Sequence, residues 1–166
     1  MTTAIDTNVL VALWDAEDTL HRAARAALDK AFNEGTLVIS GAVYAELMAA
    51  PGRTEAFVDR FCEETGIGVD WEIGERVWQA AGTAFQGYAA RRRKQKGAEA
   101  RRFLADFVIA AHALVNGYRL LTLDAGIYRV SFPRLDCRTV KQTLNQKMGK
   151  SEQLMAPVHP GEIKSG

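Results

Sequence analysis

The residues best placed to do chemistry in this sequence are four acids that stand at the ends of short apolar stretches or inside the helices beside them. Asp6 closes the opening stretch TTAID, and Asp124 follows directly on Leu120–Leu123. Glu46 stands about one turn into the helix that follows the apolar run Leu37-Val38-Ile39, and Asp106 stands near the start of a strongly apolar helix. In open α/β sheets, ligands bind beyond the carboxyl ends of the strands, so Asp6 and Asp124 are expected to share one edge. Like charges gathered there repel one another unless a cation fills the space between them. Oxygen donors with no Cys or His at metal-binding spacing select a hard ion, Mg2+ or, as a substitute, Mn2+. The reaction such a site supports is phosphodiester hydrolysis. The metal lowers the pKa of a bound water, orients the phosphate and stabilises the leaving oxygen, and no nucleophilic side chain is needed.

Each acid taken alone also has a plainer reading. Asp6 can cap the helix after it, Asp124 can cap the turn at Ala125-Gly126, and Glu46 can be a solvated helix residue. Asp106 resists this reading best. Phe103, Leu104, Phe107, Val108, Ala110 and Ala111 leave it little polar surface, and a carboxylate in apolar surroundings needs a cationic partner. Arg101 or Arg102 would serve, and so would a metal. With 20 acids in the chain, the argument rests on context and not on number. Rival machinery is missing. The three histidines, His21, His112 and His159, form no Ser-His-Asp arrangement, and neither a P-loop nor a dinucleotide-binding glycine pattern occurs. A phosphatase of the haloacid dehalogenase type requires a second Asp where Asn8 stands.

The elements that must position these acids alternate between strand and helix. TTAID predicts a strand, VLVALWDAED a short helix and loop, and Leu20–Phe32 an amphipathic helix stopped by Gly35. After the strand at Leu37–Ile39, Ser40 is the predicted N-cap of a helix carrying Val43, Tyr44, Leu47 and Met48, which Pro51 ends. Thr54–Glu64 is predicted helical, Ile67–Trp71 a strand and Val77–Tyr88 a helix. Phe103–Val115 reads as a central helix, apolar nearly all round and capped by Gly117. Leu120–Leu123 reads as a buried strand. Short apolar strands alternating with helices predict an α/β fold with a short-stranded, mostly parallel sheet flanked by helices.

Four blocks carry a family resemblance: AIDTNVLVAL at 4–13, SGAVYAELMA at 40–49, LADFVIAAHAL at 104–114 and LLTLDAGIYR at 120–129. In this order and spacing the chain resembles PIN-domain proteins, most closely the VapC-like toxins of bacterial toxin–antitoxin pairs, over roughly residues 4–140. The resemblance implies a PIN-like fold and a Mg2+-dependent endoribonuclease acting on RNA. Its acids fall on Asp6, Glu46, Asp106 and Asp124, with Asp6, Asp106 and Asp124 as metal ligands and Glu46 completing the pocket. Thr7, Asn8 and Thr122 match polar positions that orient ligands, water or phosphate, whereas His112 reads as a packing residue. The resemblance further implies a homodimer and a small antitoxin. A binding module of the same fold, holding RNA or an antitoxin without turnover, is the alternative.

Between Glu46 and Asp106 the sequence departs from that pattern. Arg91, Arg92, Arg93, Lys94, Lys96, Arg101 and Arg102 crowd into twelve residues, opposed only by Glu99. The segment reads as a phosphate-gripping patch beside the acids or as a solvated loop. It matters because the net charge of +1 points to no polyanionic partner on its own. Trp14 reads as a base-stacking surface or as an ordinary core or interface residue. The chain's 166 residues, 48% of them hydrophobic, suit one domain, expected over 1–140, with a polar tail at 141–166. Cys62 and Cys137 read as reduced, partly buried thiols. The start MTTAIDTNVL has an acid where the apolar core of a signal peptide would run, and Phe107–Val115 is too short to span a bilayer. A cytoplasmic protein is expected.

Overall fold

The computed structural model describes residues 1–94 and 104–143. In chain order the elements are β1 (Thr2–Ile5), α1 (Thr7–Trp14), α2 (His21–Glu34), β2 (Thr36–Ser40), α3 (Gly41–Met48), α4 (Glu55–Thr65), β3 (Gly68–Asp70), α5 (Glu75–Lys94), α6 (Leu104–Val115), β4 (Arg119–Thr122), α7 (Gly126–Ser131) and β5 (Cys137–Thr139). The five strands form one sheet in the order β3-β2-β1-β4-β5, and every pairing is parallel. All carboxyl ends therefore lie on one edge, with β1 in the middle. The predicted α/β architecture is what the chain adopts. The elements not foreseen are α7 and β5, both short, whose mixed sequence shows neither period clearly.

Local rules explain the boundaries. Ser40 caps α3 as expected, its Oγ accepting from the Val43 N–H at 3.5 Å. Gly35 joins α2 to β2 at φ 154°, and a Cβ there would lie 2.0 Å from the Met1 carbonyl oxygen, so only glycine lets β2 start beside β1. Gly117 ends α6 in the left-handed region at φ 68°, and the Tyr118 N–H returns to the Ala113 carbonyl at 2.8 Å. α5 runs on past Tyr88 to Lys94, so Arg91, Arg92, Arg93 and Lys94 form its last turn. There the partial negative charge of the helix terminus favours them. Lys96, Arg101 and Arg102 lie outside the described residues.

The core forms between the sheet and its helices. Ile5, Ile39, Leu120 and Leu121 of the strands pack with Val9, Leu10, Val43, Leu47, Phe107 and Ile109 of the helices, all essentially without exposure. Phe107 also meets Phe85, Tyr88 and Phe132, which locks α5 and α7 to α6. Trp14 packs edge-on against Phe57 and Phe61, with the Arg53 guanidinium 4.9 Å from its centre, so its ring is engaged within the fold. His112 is 1% exposed and its Nε2 lies 2.9 Å from Asp70 Oδ2, in keeping with a packing role. Cys62 and Cys137 are buried and unpaired by disulfide. Lys30 donates to the Thr143 carbonyl at 2.7 Å and Arg129 to Gln142 at 2.8 Å, tying the first tail residues to the body. The rest of the tail lies outside the described residues. Among the described residues no helix is long and apolar enough to cross a membrane.

Candidate active site

The carboxyl edge of the sheet brings the sequence-separated acids into one neighbourhood. The Asp6 N–H donates to the Leu121 carbonyl at 2.9 Å, extending the β1–β4 pairing by one residue and fixing Asp6 beside Thr122. The Asp6 side chain is 3% exposed. It stands at the N-cap position of α1 without capping it. Its Oδ2 instead accepts from Thr122 Oγ1 at 2.6 Å, Asn8 Nδ2 at 2.7 Å and Tyr128 Oη at 3.0 Å. Asn8 is held in turn, its Oδ1 accepting from the Leu123 N–H at 3.0 Å. Thr122 Oγ1 also accepts from the Asp124 N–H at 3.2 Å. Thr122, Asn8 and Tyr128 thus fix one carboxylate oxygen with three neutral donors.

Burial raises the Asp6 pKa above its ordinary 3.8, although the bonds from Thr122, Tyr128 and Asn8 oppose the shift. Glu46 is half-buried on α3 and accepts a hydrogen bond from the Thr7 hydroxyl on α1. Its pKa also lies above the ordinary 4.5. Burial is the main cause, the Thr7 bond opposes it, and the charges of Asp106 and Asp6 add to it. Cys137 senses the same region. Its thiol is pushed up to about 12, chiefly by burial, with Arg129 opposing and Asp6, Asp136 and Asp124 adding. Glu46 thus feels the charges of both Asp6 and Asp106, and Cys137 those of Asp6 and Asp124.

The structure reverses the expected ranking of burial. Asp106 is only half-buried and Asp124 is exposed; the acid withdrawn from water is Asp6. The next residues along α6, Phe107 and Val108, are buried on other faces of the helix than Asp106, since successive residues point about 100° apart. Asp124 also fulfils its plainer reading, because its Oδ1 accepts from the Gly126 N–H at 2.9 Å. Tyr128 is the participant the sequence did not reveal. It stands inside the block LLTLDAGIYR, but its role depends on α7, which places it one turn beyond Asp124.

Among the described residues, no three Asp, Glu, His or Cys side chains are grouped tightly enough to hold a metal ion. The chemistry of the donors nonetheless fits a hard divalent ion. They are all carboxylate oxygens, burial disfavours the charged form of Asp6 and Glu46, and among the described residues no cationic side chain offsets this at either.

The same fold occurs in solved toxin–antitoxin proteins. The chain superposes on VapBC-1 from nontypeable Haemophilus influenzae with a TM-score of 0.58 at 19% identity, covering 85% of this chain and 99% of that one. VapBC2 from Rickettsia felis, solved bound to a promoter DNA fragment, gives 0.57 at 19% identity, covering 84% and 98%. VapC20 from Mycobacterium tuberculosis, a toxin that cleaves the sarcin–ricin loop, gives 0.54 at 17% identity, covering 82% and 98%. At these identities the likeness is one of fold. No curated protein matches the chain significantly by sequence. A family model does: that of the PIN domain covers residues 3–133, and the chain belongs to the PIN-domain family.

Proposed function

We propose that this protein is a metal-dependent endoribonuclease that hydrolyses RNA phosphodiester bonds, and that it is the toxin of a type II toxin–antitoxin pair. The observation that carries the reading is Asp6, a carboxylate buried in the middle of the sheet edge and held by neutral donors, whose charge reaches Glu46 together with that of Asp106. A purely structural role gives no reason to bury a charge in this way, because desolvation without a cation destabilises it. A divalent ion, Mg2+ or Mn2+, would be held by Asp6, Asp106 and Asp124, and when bound it activates water and stabilises the leaving oxygen.

The chain's own residues prepare that chemistry. Thr122, Asn8 and Tyr128 fix the orientation of the Asp6 carboxylate. Thr7 anchors Glu46, which completes the acidic wall. Burial disfavours the charged form of both Asp6 and Glu46, so a bound cation would be favoured by the charge it compensates. The basic turn Arg91–Lys94 lies on the helix packed against Phe107, the residue after Asp106, and offsets the repulsion between acids and RNA.

The test is RNA cleavage by the purified protein with and without Mg2+, comparing the wild type with Asp6→Ala and Asp106→Asn. Cleavage that needs the metal and is lost in both variants is the expected result. Equal cleavage by all three, or no effect of chelation, overturns the assignment and leaves a binding module of the same fold. The likeness to VapBC2 from Rickettsia felis and VapBC-1 from Haemophilus influenzae supports a small antitoxin partner; a homodimer is proposed from the family resemblance alone. Co-purification with the product of an adjacent small reading frame checks the former, and light scattering the latter.

A further inference from the structure

A cleft of about 850 Å3 runs between α5, the end of α6 and the segment that closes α7. Its bed on α5 is formed by Ala80, Ala84 and Gly87. These recur at helical spacing, so this stripe of α5 carries no bulk. A Cβ at Gly87 would stand 3.4 Å from Nη1 of Arg91, and glycine leaves that space to the guanidinium. Arg76, Arg91 and Arg134 line the cleft, and no carboxylate does so among the described residues. None of the described acids forms an ion pair with Arg76 or Arg134. Arg76 stands in the first turn of α5, where the helix dipole disfavours a cation, so its charge does not serve the helix.

The spacing of these charges selects the ligand. Arg76 and Arg91 lie 15 residues apart on one helix, about 22 Å at 1.5 Å per residue. One phosphate or one carboxylate cannot meet both, whereas an extended polyanion can, and guanidinium groups match phosphate oxygens two at a time. The cleft also has a direction. Arg91 Nη2 donates to Ser131 Oγ at 3.1 Å, and one turn back along α7 Tyr128 donates to Asp6 at 3.0 Å. The Arg91–Ser131 end therefore lies one turn of α7 from the residue that holds Asp6, and the other leads away along α5 toward Arg76.

We propose that this cleft is a track for single-stranded RNA, in which Arg91, Arg134 and Arg76 hold successive backbone phosphates as the strand leads away from the acidic site. The identity of the polymer rests on the nuclease reading: a phosphodiester strand has a reason to end at that edge, whereas an acidic peptide meets only repulsion there.

The test uses the full chain and the double variant Arg76→Ala/Arg134→Ala, two exposed positions outside the acidic site. Binding of a labelled single-stranded oligoribonucleotide, on the order of ten nucleotides long, is measured in chelator across a salt series. The variant is expected to weaken binding and to flatten the slope of log affinity against log salt by about 1.4, two phosphate contacts at roughly 0.7 each. Arg76→Lys/Arg134→Lys is expected to restore the slope. In cleavage assays with Mg2+, KM is expected to rise by about tenfold with kcat within about twofold, because uniform binding is lost and transition-state stabilisation is kept. An unchanged slope overturns the track, and so does a polyglutamate peptide that loses affinity in the variant while RNA does not. If the wild type cleaves nothing yet the slope flattens, the nuclease reading fails and the track stands. If the wild type cleaves and the slope is unchanged, the track alone fails.

Discussion

Two aspartates end strands on the same edge of this sheet, and they have opposite surroundings. Asp6 follows β1 in the middle of the sheet, is 3% exposed and is held by a threonine, an asparagine and a tyrosine. Asp70 ends β3 on the rim, its side chain is 29% exposed, and it meets the imidazole of His112 at 2.9 Å. Asp70 thus has a partner able to carry positive charge and still reaches water. Asp6 has neither. A position at the carboxyl end of a strand does not by itself make a site; what distinguishes Asp6 is deep burial against neutral donors, with no cation holding it among the described residues. On the proposed reading, a bound cation supplies the charge compensation.

Substitution at the two positions should separate these roles. Asp6→Asn keeps the shape and the acceptor but removes the charge. It is expected to lower kcat/KM for RNA by about 10³-fold, some 4 kcal/mol of transition-state stabilisation; single-turnover cleavage checks this, and near-normal activity would show that the buried charge is not used. His112→Ala should do the reverse, costing about 3 kcal/mol of folding stability through lost packing and an unpaired Asp70. Denaturant unfolding measures that loss, and Mg2+-dependent cleavage should stay within about threefold of wild type. If activity falls as it does at Asp6, the division between the two aspartates is wrong.

Smaller effects sharpen the account of Asp6. Thr122→Val preserves volume at a position with no exposure but removes the hydroxyl that orients the carboxylate. A loss of about 30-fold in metal affinity or activity is expected, read by calorimetric titration with Mn2+. The last effect is a pH dependence. The folded-state pKa of Asp6 is raised above its ordinary 3.8 by burial, so in the window between those values the folded protein binds more protons than the unfolded one. Stability without metal is then greatest at the acid end and falls as pH rises through that window. Asp6→Asn should remove this slope and raise stability near neutral pH by about 1 kcal/mol, as relief of a strained site does. Saturating Mg2+ should flatten the wild-type profile, since it binds the deprotonated form. A metal-free profile that rises with pH across the window would refute the burial argument.

Much of this molecule was legible locally. The strand ending in Asp6, the Ser40 cap, the stop at Gly35, the all-round apolar α6 and the strand before Asp124 each follow from periodicity or from the steric demands of one residue. The acids were identifiable as a set from the four blocks in order. Their individual roles were not. Asp106 stood out because a linear view treats its neighbours as its surroundings, whereas a helix turns the adjacent Phe107 and Val108 to other faces. The short elements α7 and β5 carried too little pattern to be read, and with α7 went the contribution of Tyr128.

The sequence by itself determined which residues carry charge, which segments repeat at the helix or strand period, and that the chain resembles the PIN domain. These properties depend on residue type and near neighbours. Only the tertiary structure decided which acid would be buried, because burial depends on strand order, and the order β3-β2-β1-β4-β5 places β1 in the centre. Tertiary structure likewise brought Thr7 to Glu46 across 39 residues, His112 to Asp70 across 42 and Tyr128 to Asp6 across 122. Pairings at such separations are set by how whole elements pack, which no local spacing encodes. The chain therefore declares its acids in the sequence, but the folded sheet edge singles out Asp6 among them.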